Sequence, residues 1–240
     1  MSRSLALEEF FKLSQVVAVS LLAGCNSIIW PDGDLDFSGT HDAAASTCLG
    51  APFVDDFEAG PSPALWDLFS SNATVDYDGG TLGLTFVPTP ALNVSLRSKH
   101  ALDMRGRRVW LRIDTPPRAD TGTKLQFALE SSASVGFYME LISGSLAGYH
   151  RASQADAPSY DFNNVPFDLS KHAYLQIRHD GSELHFETSG DGTHFIEQGT
   201  VSSPQLASLD AIDVQVFVWG GSSSQTEVVR LDAVGGTACN

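Results

Sequence analysis

A set of side chains lying opposite the apolar residues of alternating segments has the types that a binding surface needs. They are Arg108, Trp110, Arg112, Tyr138, Glu140, Tyr174, Gln176, Arg178, His185, Glu187, Gln215 and Trp219. Aromatics interleaved with planar polar groups suit carbohydrate, because the C–H face of a sugar stacks on a ring while its hydroxyls need fixed donors and acceptors. The same residues also make an ordinary solvent face, where cross-strand Arg and Glu pairs with flanking rings stabilise a sheet. Reactive constellations are scarcer. There is no G-x-S-x-G elbow, no H-E-x-x-H pair and no phosphate-cradling glycine loop. The seven histidines are scattered, and His179 and His185 read as exposed strand residues rather than ligands. Calcium needs only a few loop oxygens, which Asp161, Asn163 and Asn164, or Asp76 and Asp78, would supply. Loops of that composition also make Asx turns, so no cofactor is expected beyond an optional structural calcium.

The elements that must hold these side chains are strands. In "RRVWLRID" Val109, Leu111 and Ile113 share one face; in "KLQFALE" Leu125, Phe127 and Leu129 do; in "VGFYMELI" Phe137, Met139 and Leu141 do. "AYLQIRHDGSELHFETS" reads as a hairpin turned at Asp180-Gly181, with Leu175, Ile177, Leu184 and Phe186 facing inward. A further turn follows at "SGDGTHF", and "AIDVQVFVW" and "EVVRLDAV" give two more strands, the first burying Ile212, Val214, Val216 and Val218. Trp66 belongs with this apolar set. No helical period is sustained, so the fold class is all-β, two sheets around one core. At 240 residues and 42% apolar, the chain has room for one large sandwich with appendages. A formal net charge of -15 repels phosphate backbones, which excludes nucleic acid as a partner.

The region before the sandwich reads as an address. Val16 to Ala23 is an apolar run too short to span a bilayer. Leu22-Ala23-Gly24-Cys25 resembles the bacterial lipobox, which makes residues 1–24 a lipoprotein signal peptide and Cys25 the lipidation site. The n-region departs from pattern, since Glu8 and Glu9 offset Arg3 and Lys12. Asn26, in place of Asp, resembles the signal for outer-membrane sorting, so the expected location is exported and lipid-anchored at the outer membrane. Residues 25–47 are acidic and dotted with Gly and Ala, a flexible tether. Export implies an oxidising compartment, where Cys48 and Cys239 stand as a disulfide pair bracketing the domain 48–240; two free thiols or a metal site are the alternatives.

"FVDDFEAGPSPALWDLFSSNATVDYDGGTLGLT" and "KHAYLQIRHDGSELHFETSGDGTHFIEQG", followed by "EVVRLDAV", resemble bacterial concanavalin A-like lectin/glucanase domains over about Phe53 to Val234. The resemblance implies a jelly-roll sandwich of two curved antiparallel sheets, with sugar or a catalytic site on the concave face. Trp110, Arg112, Tyr138, Glu140, Tyr174, Gln176, Arg178 and Gln215 are the candidates for that face. Glucanases of this fold carry paired carboxylates on one strand, in a pattern like E-x-D-x-x-E, and this chain has no such motif. Asp55, Asp56 and Glu58 come closest but sit at the domain entrance, and Glu140 stands alone on its face. The expectation is therefore a noncatalytic carbohydrate-binding module. A structural lipoprotein docking a cell-envelope protein is one alternative, and a laminarinase-like glycoside hydrolase is the other.

Overall fold

The computed structural model describes residues 53–87, 93–131, 135–153, 155–202, 209–220 and 226–236. In chain order the strands are β1 (Phe53–Asp55), β2 (Trp66–Ser71), β3 (Thr74–Asp78), β4 (Thr81–Phe86), β5 (Asn93–Ser98), β6 (Arg108–Thr115), β7 (Lys124–Ser131) and β8 (Gly136–Ile142). There follow β9 (Ser145–Arg151), β10 (Ser159–Pro166), the short helix α1 (Leu169–His172), β11 (Tyr174–His179), β12 (Leu184–Ser189), β13 (Ile196–Val201), β14 (Ile212–Trp219) and β15 (Glu227–Gly236). Sheet 1 has the order β13-β12-β11-β6-β15-β4-β3, with β1 also on β15, and sheet 2 the order β10-β9-β8-β7-β14-β5-β2. All the strand pairings are antiparallel. This is the two-sheet jelly-roll architecture expected of the sequence.

One core lies between the sheets. Val109, Leu111, Leu175, Ile177, Leu184 and Phe186 from sheet 1 meet Leu125, Phe127, Leu129, Phe137, Met139, Leu141 and Val214 from sheet 2, each fully buried. Each such side chain contributes about 1.5–3 kcal/mol by leaving water, so the alternation pins the register of every strand. Trp66 joins the core at 3% exposure and meets Phe53 edge-on, with ring centroids 6.2 Å apart. The expected hairpin forms between β11 and β12, but its loop has four residues, since His179 pairs with Leu184. Asp180 holds that loop by accepting the backbone N–H groups of Ser182 and Glu183, and Gly181 supplies the positive φ of 106°.

Domain entry is organised by Asp55, which is buried and accepts the N–H groups of Phe57 and Ser62 on its two carboxylate oxygens. Its role is to fix a turn. β1 then pairs with the end of β15, Phe53 opposite Gly236, so the first and last described strands are neighbours. Cys25, the tether, Cys48 and Cys239 lie outside the described residues, and so do the signal peptide and Asn26.

Candidate functional site

The eight candidates do not form one surface. Trp110 and Arg112 on β6 face the same way as Tyr174, Gln176 and Arg178 on β11, and Gln176 pairs with Trp110 and Tyr174 with Arg112 across the two strands of sheet 1. Tyr138 and Glu140 on β8 and Gln215 on β14 lie on the outer face of sheet 2. Alternation tells which side chains leave the core, but long-range strand pairing decides which sheet they leave it from. The candidates are therefore divided between two faces on opposite sides of the sandwich.

On sheet 2 the outward side chains of β7, β8, β9 and β14 lock together. Gln126 Nε2 donates to Glu140 Oε2 at 3.2 Å and to the Tyr149 hydroxyl at 2.6 Å, and Lys124 Nζ lies 3.1 Å from Glu140 Oε2. The Tyr138 hydroxyl donates to Glu130 Oε1 at 2.7 Å, and Gln215 Nε2 donates to Glu130 Oε2 at 3.0 Å. Both tyrosines are 4% exposed, stacked with centroids 4.8 Å apart, and cover Ala128, with the Arg151 guanidinium over both rings. Burial, then the carboxylate beside each (Glu130 for Tyr138, Glu140 for Tyr149), drives both phenols well above their ordinary pKa. They stay protonated, as donors.

Partly exposed rings lie further along the same sheet. Phe217 and Trp219 on β14 stack with centroids 5.1 Å apart and 14° between planes, and Lys124 Nζ lies 5.6 Å from the Trp219 ring. Both are half-buried, and Phe69 on β2 is 46% exposed. Ser95 on β5 pairs with both Phe217 and Phe69, so these two rings occupy one row across the sheet. Lys124, Gln126, Glu130, Phe217 and Phe69 were not among the candidates. The signal for four of them is the polar or aromatic half of "KLQFALE" and "AIDVQVFVW", opposite the apolar half.

Glu130, Glu140, Asp213 and, at the β2 edge, Asp67 share this face. Glu140 is level with Gln126 and Glu130 with Gly136, so the two glutamates are offset by four residues, about 13 Å along the strands. Retaining glycoside hydrolysis needs carboxylates about 5–5.5 Å apart and inverting hydrolysis about 6.5–9.5 Å. Glu130 instead faces Asp213 directly across β7 and β14, a position where Cβ atoms are about 4.5–5.5 Å apart. Asp213 is bound by Arg97 at 2.5 Å, and Glu130 by Tyr138 and Gln215. Those partners offset the repulsion of like charges placed opposite each other.

On sheet 1, Trp110 and Tyr174 meet with centroids 5.8 Å apart and 58° between planes, and the Arg112 guanidinium lies 5.6 Å from the Tyr174 centroid. Arg112 also pairs with Asp232. Glu187 accepts Arg178 Nε and Nη2 at 3.0 and 2.8 Å and Gln176 Nε2 at 2.5 Å. A recess of about 230 Å³ opens between Arg108, Trp110, Tyr174, Gln176, Asp191, Gly192 and Phe195.

The two hairpin histidines are buried, contrary to expectation. His179 Nδ1 accepts the N–H groups of Gly106 and Gly181, and burial lowers its pKa. His185 is clamped between Glu197 and Asp180; burial works against its charge, but the two carboxylates outweigh it and raise its pKa. Both serve the hairpin. Of the calcium candidates, Asp161 pairs with His150 and Asp76 with Arg230. Among the described residues no three His, Cys, Asp or Glu side chains converge as metal ligands, and no helix is long and apolar enough to cross a membrane.

No family model and no curated protein matches the sequence. Solved structures do match the fold. The Crh5 transglycosylase in complex with NAG aligns at TM-score 0.62 and 12% identity, over 80% of this chain and 86% of that one. SCLam, a non-specific endo-β-1,3(4)-glucanase from family GH16, gives 0.61 and 10% over 79% and 96%. The catalytic domain of an endo-1,3-β-glucanase (laminarinase) from Thermotoga petrophila gives 0.57 and 11% over 79% and 98%. The fold is thus the concanavalin A-like jelly roll of GH16 glucanases. The functions in these descriptions are catalytic, and they are those of the neighbours.

Proposed function

We propose that this protein recognises a carbohydrate chain on the outer face of sheet 2. The observation that carries the reading is the group of partly exposed rings, Phe217 with Trp219 and Phe69 beyond, bordered by the amide of Gln126, the ammonium of Lys124 and the carboxylate of Glu140. Rings provide stacking area for successive sugars, and the fixed polar groups meet hydroxyls. The glucan- and NAG-related descriptions of the structural neighbours support the same ligand class. In this reading the chain is held and not cut: Glu130 and Glu140 stand too far apart for either hydrolytic geometry, and Asp213, opposite Glu130, is tied to Arg97.

The second reading is a glycoside hydrolase, favoured by the neighbours and by one feature of the site. Asp213 stands directly opposite Glu130 across β7 and β14, and in this reading Asp213 is the nucleophile and Glu130 the acid. Retention of the full chain on laminarin, mixed-linkage glucan or chitin, weakened about tenfold by Trp219→Ala, is the expected result. Absence of retention on all three, or retention indifferent to Trp219→Ala and Phe217→Ala, overturns the proposal. Reducing-sugar release abolished by Asp213→Asn would establish the hydrolase reading instead. Anchoring through Cys25 at the outer membrane belongs to the proposal and predicts acyl labelling that Cys25→Ser removes.

A further inference from the structure

The recess on sheet 1 lies on the opposite side of the sandwich from the row of rings, and its chemistry is built independently. Its floor is Gln176, 2% exposed, whose Nε2 is committed to Glu187 and whose carbonyl oxygen has no hydrogen-bond partner. An amide oxygen buried without a partner retains its full demand for a donor. Glu187 is in turn fixed by Arg178, so the amide cannot leave to satisfy itself elsewhere without breaking a charged bond.

Trp110 and Tyr174 make the walls. With 58° between their planes they form a corner and not a parallel slot; a puckered ring with an apolar face and an equatorial polar rim stacks on one wall and turns its rim towards the polar floor. The rim is the β12–β13 turn. Asp191 accepts the N–H groups of Thr193 and His194, and Phe195 meets Tyr174 edge-on at 6.5 Å. Gly192, at φ +75°, brings the turn so close that a Cβ there would lie 2.8 Å from the Tyr174 ring. The turn is held before any ligand arrives.

Charge and size narrow the occupant further. Arg108 and Asp191 both line the recess, one charge of each sign, so its lining carries no net formal charge. A water takes up about 30 Å³. The volume of about 230 Å³ is below the roughly 300–1,000 Å³ of sites for larger ligands. Room exists for one six-membered ring.

We infer that the recess between Trp110, Tyr174, Gln176 and the Asp191–Phe195 turn binds a single neutral pyranose, a second carbohydrate site on the face opposite the first. It stands whether or not the sheet 2 proposal does. The domain then holds two sugars on opposite sides, as a cross-bridging module would.

The chain has four tryptophans, Trp30, Trp66, Trp110 and Trp219, whose indole N–H cross-peaks are assignable by single substitutions. The full chain is titrated with methyl β-glucopyranoside, methyl β-galactopyranoside and N-acetylglucosamine. The expected result is saturable movement of the Trp110 cross-peak, with Kd of about 1–10 mM for at least one of them, whether or not Trp219 moves as well. Gln176→Leu weakens this by about tenfold and Phe195→Ala by several-fold, while polysaccharide retention through Trp219 is unchanged. Phe195 lies on a turn outside the core, which guards the test against a folding defect in the floor variant. No Trp110 movement with any of the three sugars, movement only at Trp219, or saturation unaffected by both variants overturns the inference.

Discussion

Replacing Arg97 by Met tests the arrangement of carboxylates on which the hydrolase reading depends. Arg97 donates Nε and Nη2 to one oxygen of Asp213, at 3.2 and 2.5 Å, and Asp213 stands opposite Glu130 on the next strand. Removing one partner of a buried ion pair costs about 3–5 kcal/mol and of an exposed one about 0–1 kcal/mol. The side chains here are 27% and 12% exposed, an intermediate case. The uncovered Asp213 would also face Glu130, and like charges about 5 Å apart repel by about 1–3 kcal/mol between water and a protein-surface dielectric. Since part of that repulsion is already included in the cost of breaking the pair, the expected loss is about 2–3 kcal/mol. Urea unfolding should show it as a midpoint lowered by about 1 M at unchanged slope. Asp213→Asn in the Arg97→Met background removes the stranded charge and should recover about half of the loss or more. If Arg97→Met stays within about 0.5 kcal/mol of the parent, or Asp213→Asn recovers nothing, the two carboxylates are not in electrostatic contact. The hydrolase reading would then lose its pair.

Acid should destabilise the protein through His179 and His172, whose Nδ1 atoms accept backbone N–H groups and whose pKa values burial holds below 6.5. Their contribution is complete above the unfolded value of 6.5 and is lost as pH falls below it towards their folded values; unfolding titrations of His179→Gln should show a shallower acid slope than the parent. His185 has the opposite sign. Its raised pKa makes a contribution that is present below 6.5 and fades as pH rises through the folded value, so His185→Gln should lose this alkaline slope. Gly190→Ala would place a Cβ 1.9 Å from the Ser170 carbonyl oxygen beside α1, and a backbone neighbour cannot yield as a side chain does. A loss of about 3 kcal/mol, or about 6–12 °C in Tm, is expected by calorimetry.

The alternation of apolar residues was enough to determine which side chains enter the core. Phe127, Phe137, Ile177 and Val214 are all buried where their period of two places them, because a slip by one residue would turn every one of them into water. The same reading lost the strands with weaker patterns. β2, with Leu68 and Phe69 both substantially exposed, and β10, with its two register shifts, carry little alternation to read. The Asp180-Gly181 pair marked the hairpin but not its loop length, which the Asp180 carboxylate sets by gathering two N–H groups.

The site was legible in kind but not in place. Sequence gave the residue types of the outward faces, since types and parity are local properties. It had no means of dividing them, because β6 joins β11 and β7 joins β14 through contacts between residues far apart in the chain. Only that pairing sets Trp110 beside Tyr174 on one side of the sandwich and Glu130 opposite Asp213 on the other. The burial of His179 and His185 is equally a tertiary matter: each is covered and hydrogen-bonded by groups from neighbouring loops and strands, Gly106 for one and Glu197 for the other.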